Sequence, residues 1–125
     1  MDMKILWIAL AGLIGTLARW WFSGAVQRAT GGIFPWGTFA VNMAGCFLFG
    51  AVWSVAEERM LISPALRIVI LAGFMGAFTT FSSYMFETVS LMRDSQWFYA
   101  FGNVMLQNVT GLSCMALGLA AGKAL

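Results

Sequence analysis

Four long stretches with few charged residues constrain this chain more than any other feature of its sequence. They cover about 5–26, 36–56, 64–92 and 97–122. A helix needs roughly 20 apolar residues to cross the hydrocarbon core of a bilayer, and each stretch meets that length. Only 10% of the residues are charged, whereas soluble domains average about 25%. We therefore predict an all-α integral membrane protein with four transmembrane helices, forming one domain over 1–125 in the inner (plasma) membrane.

The composition also argues against several functional classes. The chain has no histidine, which removes the commonest general base and the commonest metal-binding side chain. No pair of carboxylates lies inside an apolar stretch and no glycine-rich phosphate loop is present, so we expect no enzyme activity. The net charge of +2 and the lack of a basic run indicate no nucleic-acid partner.

The third stretch is too long for one straight helix across the bilayer. At full length it would measure roughly 43 Å, against a hydrocarbon core of about 30 Å. Its middle is rich in small and hydroxylated residues, which can satisfy backbone groups where a membrane helix breaks. We predict two half-helices joined by an irregular segment near 76–80. The alternative is one long tilted helix whose hydroxyls bond their own helix carbonyls.

The basic residues are divided almost equally between the two sides of the membrane. With four crossings, one side holds Lys4, Arg59, Arg67 and Lys123. The other side holds Arg28 and Arg93, together with Arg19 if it is counted toward that end. A fixed orientation normally has a clear excess of Lys and Arg on the cytoplasmic side. The chain is therefore predicted to insert both ways, which allows an antiparallel pair of dual topology.

Uncharged polar side chains form two stripes within the apolar stretches. Thr38 and Asn42 are four residues apart on the second stretch, as are Asn103 and Gln107 on the fourth. Polar residues inside a membrane are costly, so each is a candidate for function or for an interhelical hydrogen bond. For Asn42 and Gln107 both interpretations stay open. For Asn108 we expect an interhelical hydrogen bond.

Two charged residues, Arg19 and Glu87, are expected inside the membrane. Arg19 either extends its charge to the interface or supplies positive potential to an anion vestibule. Glu87 is a candidate proton carrier or ion ligand, or lies beside a water-filled mouth. The sequence alone leaves these alternatives open.

Aromatic residues accompany the hydroxyl cluster of the third stretch. Phe78, Phe81 and Tyr84 are spaced by three residues, which predicts an aromatic ridge on a helix. Such ridges usually face lipid or the core. Because the rim of an aromatic ring is electropositive, the ring edges can also contact an anion that has lost its water.

Several short motifs occur in a fixed order along most of the chain. They are Arg19-Trp20, Pro35-Trp36-Gly37-Thr38 with Asn42 and Gly45, Gly73-Phe74-Met75-Gly76-Ala77-Phe78-Thr79-Thr80-Phe81-Ser82-Ser83, Glu87, and Ala116-Leu117-Gly118. In these motifs the chain resembles the Fluc (CrcB) family of fluoride channels. The core Gly-(x)2-Thr-Thr-Phe-Ser-(x)4-Glu is the most specific part of the resemblance.

The resemblance implies a fluoride-selective channel that exports toxic fluoride passively down its electrochemical gradient. It further implies an antiparallel, dual-topology homodimer in the lipid bilayer, with two anion pores. A sodium ion would lie at the dimer centre, bound by the backbone carbonyls of Gly76 and Thr79 from each subunit.

The resemblance also assigns residues to the anion pore. The two pore phenylalanines of the family correspond to Phe81 and Tyr84, and the pore asparagine corresponds to Asn42. The polar track of the family corresponds to Thr38, Ser83 and Gln107. Tyr84 departs from the usual Phe-x-x-Phe pair, and its hydroxyl adds a hydrogen-bond donor that can itself bind the anion.

Two other classes of membrane protein fit four short spans. A small proton-coupled exporter of multiple drugs or cations is one, but that class relies on a carboxylate in its first span, where this chain carries Arg19. A membrane assembly factor that transports nothing is the other, and it would show no ion flux.

Overall fold

The structure, a computed structural model, describes residues 2–125, and within them all regular secondary structure is helical. Four helical segments are long and apolar enough to cross a membrane: Met3–Thr30, Trp36–Glu57, Pro64–Arg93 and Trp97–Ala124. The predicted all-α architecture with four apolar spans is therefore confirmed. Met1, the first residue of the predicted domain, lies outside the described residues.

The first helix, α1 (Met3–Thr30), extends past the predicted end at residue 26. The connection between the first two predicted stretches, 27–35, is correspondingly shorter in the structure, because α2 (Trp36–Glu57) begins at Trp36 as predicted. Gln27 explains the difference. Its Nε2 donates to the carbonyl of Phe34 and its Oε1 accepts from the N–H of Gly37, both at 3.0 Å. The end of α1 is therefore held against the start of α2.

The third span consists of several helical pieces. Ser63 caps α3 (Pro64–Ile68), which continues into a π-helical segment (Val69–Met75) and a short α4 (Gly76–Phe78). Thr79 and Thr80 then have extended backbone, with ψ of 157° and 118°. Helix α5 (Phe81–Arg93) follows. The prediction placed the start of the irregular segment near residue 76. In the structure Gly76 is helical, and the extended backbone begins at Thr79.

Three names are used below for parts of this span. The N-half is 64–78, the junction is Thr79 with Thr80, and the C-half is α5. The N-half packs mainly against α1, whereas the C-half packs mainly against α6 (Trp97–Ala124). Helices α2 and α6 pack along each other and form the most extensive contact in the chain.

Apolar side chains fill the contact between α2 and the N-half. The buried cluster contains Val41, Leu71, Met75 and Phe78. Large apolar side chains also cover the outside of the chain, among them Leu13, Leu17, Phe101 and Leu112. This distribution suits a lipid environment, in which an apolar exterior is not penalised.

Helix α1 and the N-half approach each other unusually closely. A Cβ atom added to Gly15 would lie 2.4 Å from the carbonyl oxygen of Phe74, well inside contact distance. Glycine is therefore required at this crossing, because any side chain would push the two helices apart.

Charged residues lie together at one end of the molecule. Arg67 pairs with Glu57 and lies 5.0 Å from the centre of the Trp53 ring, while Lys123 pairs with Glu58 at 3.6 Å. The end of α2, the start of α3 and the end of α6 are therefore on the same side, as an even number of crossings requires.

Candidate functional site

Asn42 on α2 supplies partners for the backbone of the junction. Its Oδ1 accepts from the N–H of Thr80 at 2.9 Å, and its Nδ2 donates to the carbonyl of Thr80 at 3.0 Å. Buried backbone groups outside regular helices need partners, since an unpaired one is destabilising. Asn42 therefore replaces the helical hydrogen bonds that Thr80 gives up.

Arg19 and Thr79 bind backbone carbonyls immediately before the junction. The Nε of Arg19 donates to the carbonyl of Ala77 at 3.0 Å, and the hydroxyl of Thr79 donates to the carbonyl of Met75 at 3.1 Å. A positive charge at this position also interacts favourably with the carboxyl end of the N-half. The sequence predicted Arg19 to serve the interface or an anion vestibule and did not anticipate this contact.

Thr80 also begins α5 as its N-cap. Its hydroxyl oxygen accepts from the N–H of Ser83 at 3.2 Å, and its hydroxyl group contacts the Ser83 hydroxyl at 3.0 Å. The bond from its side chain is the usual capping interaction. On the other side of the junction, a Cβ atom at Gly45 would lie 2.1 Å from Cγ2 of Thr79. Glycine at this position of α2 makes room for the junction.

The orientation of the Gln107 amide follows from these contacts. Because Thr80 fixes which end of the Asn42 amide is nitrogen, the Nδ2 of Asn42 must donate to Gln107, and it meets Oε1 at 3.1 Å. The Nε2 of Gln107 therefore points away from Asn42. It is buried and has no hydrogen-bond partner among residues 2–125.

A cavity of about 320 Å³ lies beside the junction. Its lining contains no charged side chain and includes amides, hydroxyls, sulfur groups and aromatic rings. The lining residues are Asn42, Met43, Gly45, Cys46, Phe49, Thr79, Thr80, Phe81, Tyr84, Gln107, Asn108 and Met115. Four of the predicted pore residues, Asn42, Phe81, Tyr84 and Gln107, are thus brought together around one cavity.

The two predicted pore aromatics meet edge to face. The ring centres of Phe81 and Tyr84 are 5.7 Å apart at 82°. Phe81 is 72% exposed, whereas Tyr84 is 6% exposed. The predicted ridge does not include Phe78, which stacks on Phe74 at 5.5 Å within the apolar core. The extended backbone of the junction disrupts the three-residue spacing on which that prediction depended.

The remaining predicted site residues lie elsewhere. Thr38 donates a 2.6 Å hydrogen bond to Oε1 of Glu87, and both residues border a second cavity near the loop between α1 and α2. Glu87 also borders a neighbouring depression at the same end. This placement favours the interpretation of Glu87 as a residue beside a mouth. Ser83 lies in the first turn of α5, where its N–H donates to the N-cap Thr80, and Gly76 is an exposed helical residue.

Two contacts of the C-half involve asparagines of α6 that lie outside the predicted pore residues. Asn108 on α6 donates to the hydroxyl of Tyr84 at 3.2 Å, which is the expected interhelical hydrogen bond. Asn103 donates to the hydroxyl of Thr88 at 2.9 Å, and both residues are buried. Thr88 carries no signal in the sequence, because a lone threonine in an apolar helix has no informative spacing.

The fold and the polar junction define a multi-pass, all-α protein of the inner membrane. Residues 6–119 match the family described as CrcB-like protein, Camphor Resistance (CrcB). The chain belongs to this family.

Individual relatives cover nearly the whole chain. A protein of Nitrosococcus oceani named Fluoride-specific ion channel FluC is 53% identical over 94% of this chain and 94% of its own length. Proteins with the same name from Nitratidesulfovibrio vulgaris and Solidesulfovibrio magneticus are 50% and 49% identical. Each covers 96% of this chain, with 97% and 96% of its own length. The relatives are thus named as ion channels.

Proposed function

We propose that this protein is a fluoride-selective channel that exports fluoride passively down its electrochemical gradient. The observation that carries the proposal is a cavity with no charged lining residue, bordered by Gln107, whose buried Nε2 has no partner within residues 2–125. It occurs in a chain about half identical to relatives named as fluoride-specific ion channels.

The chemistry of the cavity suits a small anion that must lose its water. Amide and hydroxyl donors replace part of the hydration shell, and the edges of Phe81 and Tyr84 offer further positive potential. A fixed cation in the wall would bind the ion too tightly, whereas conduction needs an ion that both enters and leaves. The site therefore supports permeation rather than permanent binding.

The proposed anion path includes all six of the predicted pore residues. Asn42, Phe81, Tyr84 and Gln107 would form the central section along the cavity wall. Thr38, together with Glu87, would line the section toward the loop end, where a second cavity opens. Ser83 would connect the two sections from the first turn of α5, where its hydroxyl contacts Thr80.

We further propose an antiparallel homodimer of dual topology, with two such paths. The nearly equal distribution of Lys and Arg between the two sides supports insertion in both orientations. The exposed ring of Phe81, beside the cavity, is the kind of surface that a second copy would cover.

The proposed broken third span would hold a sodium ion at the dimer centre through the carbonyls of Gly76 and Thr79. In a continuous helix these carbonyls would accept from the N–H groups of Thr80 and Ser83. Here Thr80 donates to Asn42, and Ser83 donates to the Thr80 hydroxyl. Both carbonyls are thus released from their usual donors, which suits the oxygen ligands that a hard cation needs.

Purified protein in liposomes tests the channel. We expect fluoride efflux, read with a fluoride electrode, to be fast and chloride efflux to be nearly absent under the same gradient. Protein-free liposomes give the baseline. Equal fluoride and chloride fluxes would contradict selectivity, and fluoride movement that requires a proton gradient would contradict a passive channel.

Thermal unfolding tests the sodium site. We expect a higher melting temperature in sodium than in an equal concentration of a large organic cation, because a ligand that binds only the folded dimer stabilises it. Equal melting temperatures in the two salts would remove support for the bound cation while leaving the flux result intact.

A further inference from the structure

Asn108 makes the hydroxyl oxygen of Tyr84 a hydrogen-bond acceptor. The Nδ2 of Asn108 donates to the carbonyl of Val104 at 2.8 Å and to the hydroxyl oxygen of Tyr84 at 3.2 Å. An amide nitrogen carries two N–H donors and accepts no hydrogen bond. The Tyr84 oxygen must therefore act as the acceptor in this contact. The bond to Val104 fixes the nitrogen to its own helix.

The proton of the Tyr84 hydroxyl is consequently left for another partner. A phenol has one O–H donor, and the side of the oxygen that faces Asn108 is occupied. Within residues 2–125 this O–H donates to no protein acceptor, although the residue is only 6% exposed. Tyr84 and Asn108 both line the 320 Å³ cavity. A buried donor without an acceptor beside a cavity indicates a ligand that accepts hydrogen bonds.

A second donor of the same kind belongs to Gln107, another residue that lines the cavity. The Nε2 of Gln107 is buried without a partner, and Gln107 is 8% exposed. Its direction is set by Asn42, as described above. Two residues that line the cavity, Tyr84 on α5 and Gln107 on α6, thus each carry a donor without an acceptor among residues 2–125, and no lining residue is charged.

We propose that Asn108 is a positioning residue that makes the Tyr84 hydroxyl a donor to fluoride, in a two-donor site completed by Nε2 of Gln107. The inference rests on the proposed function. It adds to that function a hydrogen bond from the Tyr84 hydroxyl to fluoride, and it gives Asn108 a role beyond packing. Asn108 itself donates to protein groups and reaches the ion only through Tyr84.

Initial fluoride efflux at a series of internal fluoride concentrations tests this assignment. Tyr84→Phe removes the donor, and we expect the half-saturating fluoride concentration to rise roughly tenfold, as for one lost hydrogen bond to a charged acceptor. Asn108→Ala and Asn108→Leu should produce a similar rise, because the phenol is then free to turn its proton elsewhere. In the double variant Tyr84→Phe with Asn108→Ala, the half-saturating fluoride concentration should be no higher than in Tyr84→Phe alone.

A matched control and a stability measurement separate positioning from packing. Ser113 lies on the same helix and donates only to the carbonyl of Val109, so Ser113→Ala should leave the half-saturating concentration unchanged. Melting temperatures identify any variant that is merely unstable, and Asn108→Leu retains the side-chain volume that Asn108→Ala loses.

Two results would overturn the proposal. One is an unchanged half-saturating concentration in both Asn108 variants when Tyr84→Phe raises it. The other is an Asn108 effect that persists at full size in the Tyr84→Phe background, since it would then act by another route. A wild-type protein without fluoride efflux would instead refute the proposed function itself, so the two failures are distinguishable.

Discussion

The two halves of the third span are held in the protein by different kinds of interaction. The N-half lies against α1 through close backbone approach, with Gly15 against the carbonyl of Phe74. The C-half is joined to its neighbours by side-chain hydrogen bonds, including Thr38 to Glu87 and Asn103 to Thr88. One continuous apolar stretch of sequence therefore contains two differently stabilised segments.

The N-half therefore depends on close packing, whereas the C-half depends on polar contacts. Close backbone packing depends on small side chains and tolerates no added volume. Hydrogen bonding across a membrane interior depends on matched donors and acceptors and tolerates changes of polarity poorly. We therefore expect the N-half to be sensitive to size and the C-half to be sensitive to polarity. Three substitutions test this comparison, beginning with the junction between the halves.

Asn42→Ala should have the largest effect, because it removes the partners of both backbone groups of Thr80. Each buried backbone group left unpaired costs about 1–3 kcal/mol, which gives about 2–6 kcal/mol for the pair. We expect a marked fall in melting temperature and loss of fluoride efflux. Ser113→Ala, which removes a bond within α6, is the control. If both variants melted alike, the junction would not depend on Asn42.

Gly15→Ala should have the next largest effect, since its Cβ would lie 2.4 Å from the Phe74 carbonyl oxygen. Forcing a methyl group into such a contact typically costs about 1–3 kcal/mol. Gly12→Ala is the matched control, because its Cβ would lie at an ordinary 3.6 Å from the Gly73 carbonyl oxygen. We expect thermal unfolding to separate the two variants. Equal stability would show that the N-half is not limited by size.

Thr88→Val should have the smallest effect of the three, at most about 2 kcal/mol, because each of the two hydrogen bonds that it removes is typically worth about 1 kcal/mol. It keeps the shape of the side chain but removes the acceptor of Asn103 and the donor to the Tyr84 carbonyl. Thr88→Ser keeps the hydroxyl and should retain most of the stability. If Thr88→Val melted at the same temperature as the wild type and Thr88→Ser melted lower, volume rather than polarity would control the C-half.

Much of the fold follows from the sequence because the length of an apolar stretch is a local property. The four spans could be predicted on that basis. Their ends were predicted less well where a hydrogen bond to another part of the chain extends a helix. Helix α1 continues to Thr30 because Gln27 contacts Phe34 and Gly37 across a turn. The π-helical turn at Val69–Met75 has no distinguishing pattern of residues, so the sequence did not predict it.

Less of the candidate site follows from the sequence, because its geometry depends on long-range pairs. Hydroxylated residues drew attention to the middle of the third span, but Asn42 pairs with Thr80, which is 38 residues away. The aromatic ridge was assigned by spacing along one helix, and the extended junction separates Phe78 from Phe81. The direction of the Gln107 amide depends on Asn42 in α2, Thr80 in the junction and Gln107 in α6, and cannot be obtained from spacing alone.

The contact between Asn42 and Thr80 has a consequence for how the cavity responds to its surroundings. The main chain fixes the Asn42 amide, and that amide in turn fixes the Gln107 amide. Neither amide gains or loses a proton at physiological pH. The donor that Gln107 presents is therefore set by the backbone and not by a titrating side chain, so it keeps the same sign in acidic and neutral media.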